Sequence, residues 1–397
     1  MKILLGTESF APNVSGVATA TKNLATNLIK NGHEVVVLTP GKTYNTKLDK
    51  SFTDYQVFRL KSIINPFRKG YRITFVKESE IEKLVEKTKP DLIHIQDPAV
   101  IGQLLCRVGN KLNIPVVCTN HFSLEYALSY VKFFHPLMPI LRQGLINYLV
   151  GFYNKCDQIV TPTETFRRQI EDWGVESPVR AVSNGIEIER FLKKSSKTQL
   201  FDFREKFHLP DNPLVLYLGR IDKDKSIDVL VRAIPSILKK VNAHFIIAGT
   251  GGEVENIRQI VHDLNITSDV TFIGFLEHNS EDFVDIYKSA SLFAIPSTIE
   301  TQSLVTLEAM SSGLPVVAAD ANALPELVHP GENGYLFKPG NEKQIATMIT
   351  KILSNKKLAK KMGGECIKIA MNHQMDRAFD EMLSLYKEVI DKKKKEN

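Results

Sequence analysis

No uninterrupted apolar run in the 397 residues approaches the roughly 18 needed for a membrane-spanning helix, so no transmembrane segment is expected. The opening MKILLGTESF reaches Thr7 and Glu8 before the apolar core of an export signal could form, and no such signal is expected either. Cysteine is scarce. Cys106, Cys118, Cys156 and Cys366 lack the paired spacing of a metal site and three lie in apolar surroundings, which predicts buried thiols in a reducing compartment, the cytoplasm, and no structural metal. A G-x-G-x-x-G fingerprint is also missing: no later glycine completes the motif that Gly6 and Gly16 could begin, which argues against an NAD-dependent oxidoreductase. With 43% hydrophobic and 24% charged residues, global disorder, collagen and coiled coil are excluded.

The length fits two or three domains of roughly 150 residues each. A net charge of +6 arises from 51 Lys+Arg against 45 Asp+Glu, and all of the excess lies in residues 1–190, which carry 24 basic and 18 acidic side chains. Within that half, residues 101–150 hold Arg107, Lys111, Lys132 and Arg142 against the single acid Glu125, among many Leu, Ile, Phe and Tyr. This pattern fits an anionic surface better than a free nucleic acid.

Short β-branched runs alternate with amphipathic stretches: residues 2–6, the helix-like 17–31, then 34–39, 92–95, 116–119, 158–160 and 180–182. Buried strands separated by helices imply a parallel sheet covered on both faces. After Asn184-Gly185 the beat gives way to about 25 polar residues ending near Pro213, where the domain junction is expected. A second series follows at 214–219, 244–248, 270–272, 292–295 and 316–318, so two Rossmann-like units in tandem are predicted. The chain closes in a helix from Met375 whose end, Lys392 to Lys395, reads as a solvated run favourable to the helix dipole.

In such sheets ligands bind at the carboxyl ends of the strands, so the following loops hold the candidates. Gly16 opens the first helix, as a plain turn or as a place for close ligand approach. His121 follows the strand 116–119 and is either structural or cleft-facing. The aromatic, basic stretch 123–153 is either a core helix pair or an amphipathic face that enters a membrane interface. Arg220 and Lys225, in a loop leading into a helix, can converge on one anion as a diphosphate clamp. Asp222 and Asp224 between them mimic a metal motif, but Arg220, Lys223 and Lys225 would repel a divalent cation. Gly249 and Gly251 form a glycine turn that is a phosphate or base approach point or only a tight turn, and the strand end at Phe275 could contact a base. Glu300 lies in a loop and Glu308 in the apolar helix behind it; a spacing of roughly 12 Å, were both helical, is too wide for a glycosidase pair, so they are expected to grip two parts of one long ligand.

The Glu300-x7-Glu308 frame, running on through Ala309-Met310 to Gly313-x-Pro315-Val316-Val317, together with Gly219-Arg220-x4-Lys225 and Ser183-Asn184-Gly185-Ile186, resembles the family 4 glycosyltransferases of GT-B fold over essentially the whole chain. The resemblance implies an α/β protein with two Rossmann-like, doubly wound parallel-sheet domains facing a cleft: an acceptor-binding domain at 1–190, a donor-binding domain at 191–374, and a helix at 375–397 packing back on the first. It implies a retaining hexosyltransferase with no cofactor and no metal, in which Arg220 and Lys225 neutralise the departing diphosphate. Glu308 would bind ribose hydroxyls, Glu300 sugar hydroxyls, and the backbone at Gln302, Ser303 and Leu304 the phosphates. His121 would contact the transferred sugar and Gly16 would leave room beside it. Ser226 and Ser303 depart from the family's usual glycines, which bears on the donor-phosphate geometry. The run Glu300-Thr301-Gln302 and the segment 121–155 look similar to the lipid glycosyltransferases, which implies UDP-glucose as donor, a lipid acceptor such as diacylglycerol, an anionic membrane surface as partner, no nucleic acid, and a peripheral location at the inner face of the membrane. The alternatives are a cytosolic glycosyltransferase for a soluble or polysaccharide acceptor and a non-catalytic nucleotide-sugar-binding module.

Overall fold

The computed structural model describes residues 1–12, 16–42, 45–65, 72–129 and 137–396. Lys132 and the run Phe133 to Pro136 lie outside them. The chain divides into two compact units, Met1–Asn184 with Ala378–Asn397, and Gly185–Arg377.

The first unit is built on an eight-stranded sheet. Across it run Val179–Ala181, Gln158–Thr161, Val116–Thr119, Leu92–Ile95, Lys2–Gly6, Glu34–Pro40, Gln56–Leu60 and Lys47–Leu48. All neighbours are parallel except the last pair. Alternation along each strand divides the apolar side chains between two layers. Leu4, Val36, Ile93, Ile95, Val116 and Cys118 enter one layer; Ile3, Leu5, Val35, Val37, Leu92 and Val117 enter the other. Both faces being covered explains why these strands read as unbroken apolar runs. The second layer is closed by the C-terminal helix Met375–Lys395 through Phe379, Met382, Leu385, Tyr386, Val389 and Ile390.

That helix is also tied by polar contacts. His94, wholly buried mid-strand, bonds the Tyr386 hydroxyl through Nδ1 (2.5 Å) and Thr119 Oγ1 through Nε2 (2.7 Å). Burial, reinforced by the nearby His121, lowers its pKa to about 3, so the ring is neutral. At the far end of the helix Lys393 pairs with Asp157 at 2.8 Å with both side chains largely covered, so this lysine is an anchor where a solvated run was expected.

The second unit carries a six-stranded parallel sheet in the order Val270–Gly274, His244–Ala248, Leu214–Leu218, Leu292–Ile295, Val316–Ala319, Gly334–Phe337. In sequence order this is 3-2-1-4-5-6, the doubly wound arrangement. The stretch after Asn184 is not a polar break. It forms the helices Ile188–Leu192 and Lys197–Lys206, the second begun by a Ser196/Gln199 capping box, and Ile186, Ile188, Phe191, Phe203 and Leu209 join this unit's core. All four cysteines are buried free thiols, and among the described residues no helix is long and apolar enough to cross a membrane.

Replacing Tyr386 by Phe leaves a buried imidazole nitrogen unpaired, so urea unfolding followed by circular dichroism should show a loss of about 1–3 kcal/mol. A loss below about 0.3 kcal/mol would mean that the His94 contact does not anchor the helix.

Candidate functional site

The strand order of the second unit reverses between Leu214–Leu218 and Leu292–Ile295, the place in a doubly wound sheet where the loops at the carboxyl ends take ligands. Arg220, Lys225 and Glu300 are carried on those loops. Lys225 Nζ, largely buried, donates to Glu300 Oε1 at 2.7 Å, to the Ile299 carbonyl at 3.0 Å and to Ser297 Oγ at 3.3 Å. Arg220 is about half exposed and bonds the carboxylates of Asp222 and Asp224. The two cations do converge on one anion, which in this structure is the protein's own: Asp224 Oδ2 lies 3.1 Å from Arg220 Nη2 and 3.4 Å from Lys225 Nζ. Both aspartates are thus committed to cations.

Glu308 sits within the helix Leu304–Ser311 and is buried, and each of its oxygens has a donor. His278 Nε2 gives a hydrogen bond to Oε1 at 2.9 Å and the Tyr287 hydroxyl one to Oε2 at 2.8 Å. The carboxylate in return raises the pKa of His278, while burial raises that of the Tyr287 phenol. Neither partner was found from the sequence. The signal available for both was the requirement that a carboxylate in an apolar helix have donors.

The loop glycines have unequal reasons. A Cβ on Gly249 would fall 1.8 Å from the Gly219 carbonyl oxygen, and one on Gly251 2.2 Å from that of Ile221. Their smallness is required by packing against the Arg220 loop, which Gly252 N–H also clamps by bonding Asp222 Oδ1 at 2.9 Å. Around a Cβ on Gly16, nothing among the described residues comes within 4 Å. Phe275 follows the strand Val270–Gly274 and is 57% exposed. Gln302 and Ser303 are buried, and Leu304 opens the helix that carries Glu308. Ser226 (φ 47°) and Ser303 (φ 62°) both occupy the left-handed region that a glycine would enter freely.

His121 belongs to the first unit and is not among the residues gathered at the second unit's strand ends. It lies at the corresponding edge of its own sheet, where Nε2 meets Gln96 Oε1 at 3.1 Å and burial lowers its pKa to about 4. The strand order of this sheet reverses between Lys2–Gly6 and Leu92–Ile95, and each of these strands is followed by a partly buried carboxyl. Glu8 accepts from Ile101 N–H (2.9 Å) and Thr74 Oγ1 (2.8 Å), and Asp97 Oδ2 accepts from Glu8 N–H (2.8 Å). Desolvation raises the pKa of both, and the Asp97 charge raises that of Glu8 further. Glu8, Gln96 and Asp97 were not singled out from the sequence, although a polar side chain directly after an apolar strand was the visible sign.

Two outcomes follow from these local geometries. Ser226→Gly removes a left-handed serine and should raise the stability of the chain by up to about 1 kcal/mol in urea unfolding; a destabilised variant would contradict it. A carboxyl whose folded pKa is raised stabilises fully below its unfolded value and loses that contribution as pH rises through the folded value. The contribution of Glu8 and Asp97 should therefore fall as pH climbs from about 4 past neutrality, while His94 and His121, whose values are lowered, contribute in the opposite sense up to about 6.5. In a pH series of denaturation curves Glu8→Gln should gain stability relative to the wild type as pH rises.

Residues 14–190 match the family described as Glycosyltransferase Family 4, and residues 199–368 that described as Glycosyl transferases group 1. The alpha-monoglucosyldiacylglycerol synthase of Streptococcus pneumoniae is 30% identical over 341 residues, spanning 85% of this chain and 75% of the relative. The enzyme of that name from Acholeplasma laidlawii is 28% identical over 349 residues, 86% of each. Among solved structures, Anabaena HepE in complex with UDP-glucose matches with a TM-score of 0.76 at 20% identity, over 97% of this chain and 99% of that one. Sucrose-phosphate synthase from Thermosynechococcus elongatus gives 0.77 at 22% identity over 98% of both. The architecture is the GT-B fold, and the chain belongs to glycosyltransferase family 4.

Proposed function

We propose that this glycosyltransferase moves glucose from UDP-glucose to a diacylglycerol-type lipid at an anionic membrane surface, with retention of configuration and without a metal. The observation that carries the lipid reading is the helix Met138–Tyr153. Leu137 just before it and Ile140 and Leu141 in its first turn are exposed apolar side chains, 47%, 70% and 39% accessible, and the exposed Arg142 is their charged neighbour. A face of that chemistry suits the boundary between headgroups and acyl chains. The glucosyldiacylglycerol synthases named above support the same acceptor class.

In this reading Arg220 and Lys225 exchange Asp224 for the donor diphosphate and neutralise its charge as it departs. The N–H groups at the start of the helix Leu304–Ser311, which lack intrahelical partners, face the phosphates through Ser303 and Leu304, next to Gln302. Glu308, held by His278 and Tyr287, keeps a further lone pair on each oxygen for the ribose hydroxyls. Glu300 binds hexose hydroxyls, His121 lies by the transferred sugar, and Gly16 leaves space beside it. Gly249 and Gly251 fix the clamp loop, and Phe275 borders the base.

Purified protein given several nucleotide sugars with diacylglycerol in vesicles should turn over UDP-glucose. Arg220→Ala and Glu308→Ala should each lower kcat/KM by roughly 100-fold or more, in line with loss of a charge-assisted contact. Arg142→Glu should weaken sedimentation with anionic vesicles about tenfold or more, since a basic residue contributes about 1 kcal/mol there. Inactivity on diacylglycerol with every donor, together with no preference for anionic vesicles, would sink the lipid reading.

A further inference from the structure

The first unit holds a polar constellation to which no role has been attached. Gln96 follows the strand Leu92–Ile95 at the place where the sheet order reverses, and only 2% of it is exposed. Its Oε1 meets His121 Nε2 at 3.1 Å, yet its Nε2 has no hydrogen-bond partner among the described residues. The same lack recurs one strand over and one residue before His121. Asn120 is fully buried; its Oδ1 accepts from Phe122 N–H (2.9 Å) and the Tyr153 hydroxyl (2.8 Å), while its Nδ2 has no partner. Buried amide donors are costly to leave unpaired, and here they recur at two neighbouring strand ends, on the residue that contacts the His121 ring and on the residue that precedes His121 in the chain.

The imidazole contact has a direction. His121 is neutral near pH 7, because burial lowers its pKa to about 4, so only one ring nitrogen carries a proton. A carbonyl oxygen can only accept, so a contact between Gln96 Oε1 and Nε2 places that proton on Nε2 and leaves Nδ1 with a lone pair. The Gln96 Nε2 group, on the same amide carbon, then stands beside this ring as a donor. A ring with an acceptor nitrogen, contacted by an amide with a donor to spare, complements hydroxyl groups, each of which both donates and accepts.

We propose that Gln96 is a substrate-contacting and positioning residue: its Oε1 holds His121 as the Nε2–H tautomer, and its Nε2 donates to a hydroxyl of a bound polyol. The polyol hydroxyl can belong to the hexose of the donor or to the glycerol of the acceptor. The inference deepens the proposed transfer to a lipid by naming a hydroxyl subsite, but its first two readouts need no turnover.

The test uses the full chain labelled with 15N-histidine, as wild type, Gln96→Glu and Gln96→Met. Glutamate keeps the shape and an acceptor for His121 but removes the donor; methionine removes both and guards against a fold-specific failure of either variant. Long-range 15N–1H spectra of the wild type should show His121 as Nε2–H, with its ring signals shifting on titration with free glucose or glycerol. Gln96→Met should lose that single tautomer, and both variants should bind the polyol at least tenfold more weakly. In steady-state assays a tenfold rise in KM for UDP-glucose alone assigns the hydroxyl to the hexose, and the same rise for diacylglycerol alone assigns it to the acceptor. His121 in the Nδ1–H form, a wild type whose ring signals respond to neither polyol, or variants within twofold of wild type throughout would overturn the proposal. A wild type that shows the tautomer and binds polyol but ignores diacylglycerol would overturn the lipid reading and leave this one standing.

Discussion

Parallel strand pairing is the constraint from which the site descends. When every strand of a sheet runs the same way, all of the carboxyl ends lie along one edge, and each chain crossing must return over a face. Where the strand order reverses, neighbouring loops lead to opposite faces and cannot fill the space between them. In the second unit the loops at that reversal are those bearing Arg220 and Lys225 and the one bearing Glu300, and Lys225 bridges them. In the first they bear Glu8 and the Gln96-Asp97 pair, joined by the bond from Glu8 N–H to Asp97, with His121 one strand further on. Residues far apart in the chain thus meet because the sheets are parallel and their order reverses.

The electrostatics at these loops of the second unit are balanced internally. Arg220 and Lys225 are paired with the chain's own carboxylates, those of Asp222, Asp224 and Glu300. Such pairing keeps uncompensated charge out of a partly buried loop. In the proposed reading it also sets the terms of donor binding, because a diphosphate must offer the two cations more than Asp224 does. Glu308 follows the same rule in reverse: it is a buried anion whose burial is tolerated through the His278 and Tyr287 donors.

Much of the fold could be read directly from the chain. The strands Leu92–Ile95, Val116–Thr119, His244–Ala248 and Leu292–Ile295 coincide with their apolar runs, because a strand buried on both faces has no polar alternation to blur its limits. Gln56–Leu60 and Gly334–Phe337 were missed, since Arg59 interrupts the one and the other is a short GYLF run without a β-branched residue. The helices at Ile188–Leu192 and Lys197–Lys206 were missed because each is short and its few apolar residues, Ile188, Phe191 and Leu192 in one and Leu200, Phe201 and Phe203 in the other, stand in a strongly polar stretch. Of the candidate residues, Arg220 and Lys225, which stand in one motif, also meet in space at Asp224. Gln96, Glu8, Asp97, His278 and Tyr287 stand in no such motif.

The sequence by itself determined the alternation of buried strands and helices, the two-unit plan and the positions of Arg220, Lys225, Glu300 and Glu308, because burial and motif spacing are written in consecutive residues. Only the tertiary structure decided which groups satisfy them. That Asp224 joins the two cations, that His278 and Tyr287 hold Glu308, and that Gln96 holds His121 depend on contacts 21 to 30 residues apart or on the turn of a short loop. The physical reason is that a charged or hydrogen-bonding group brings its demand into the fold locally, whereas its partner is chosen by the sheet order that brings distant strand ends side by side.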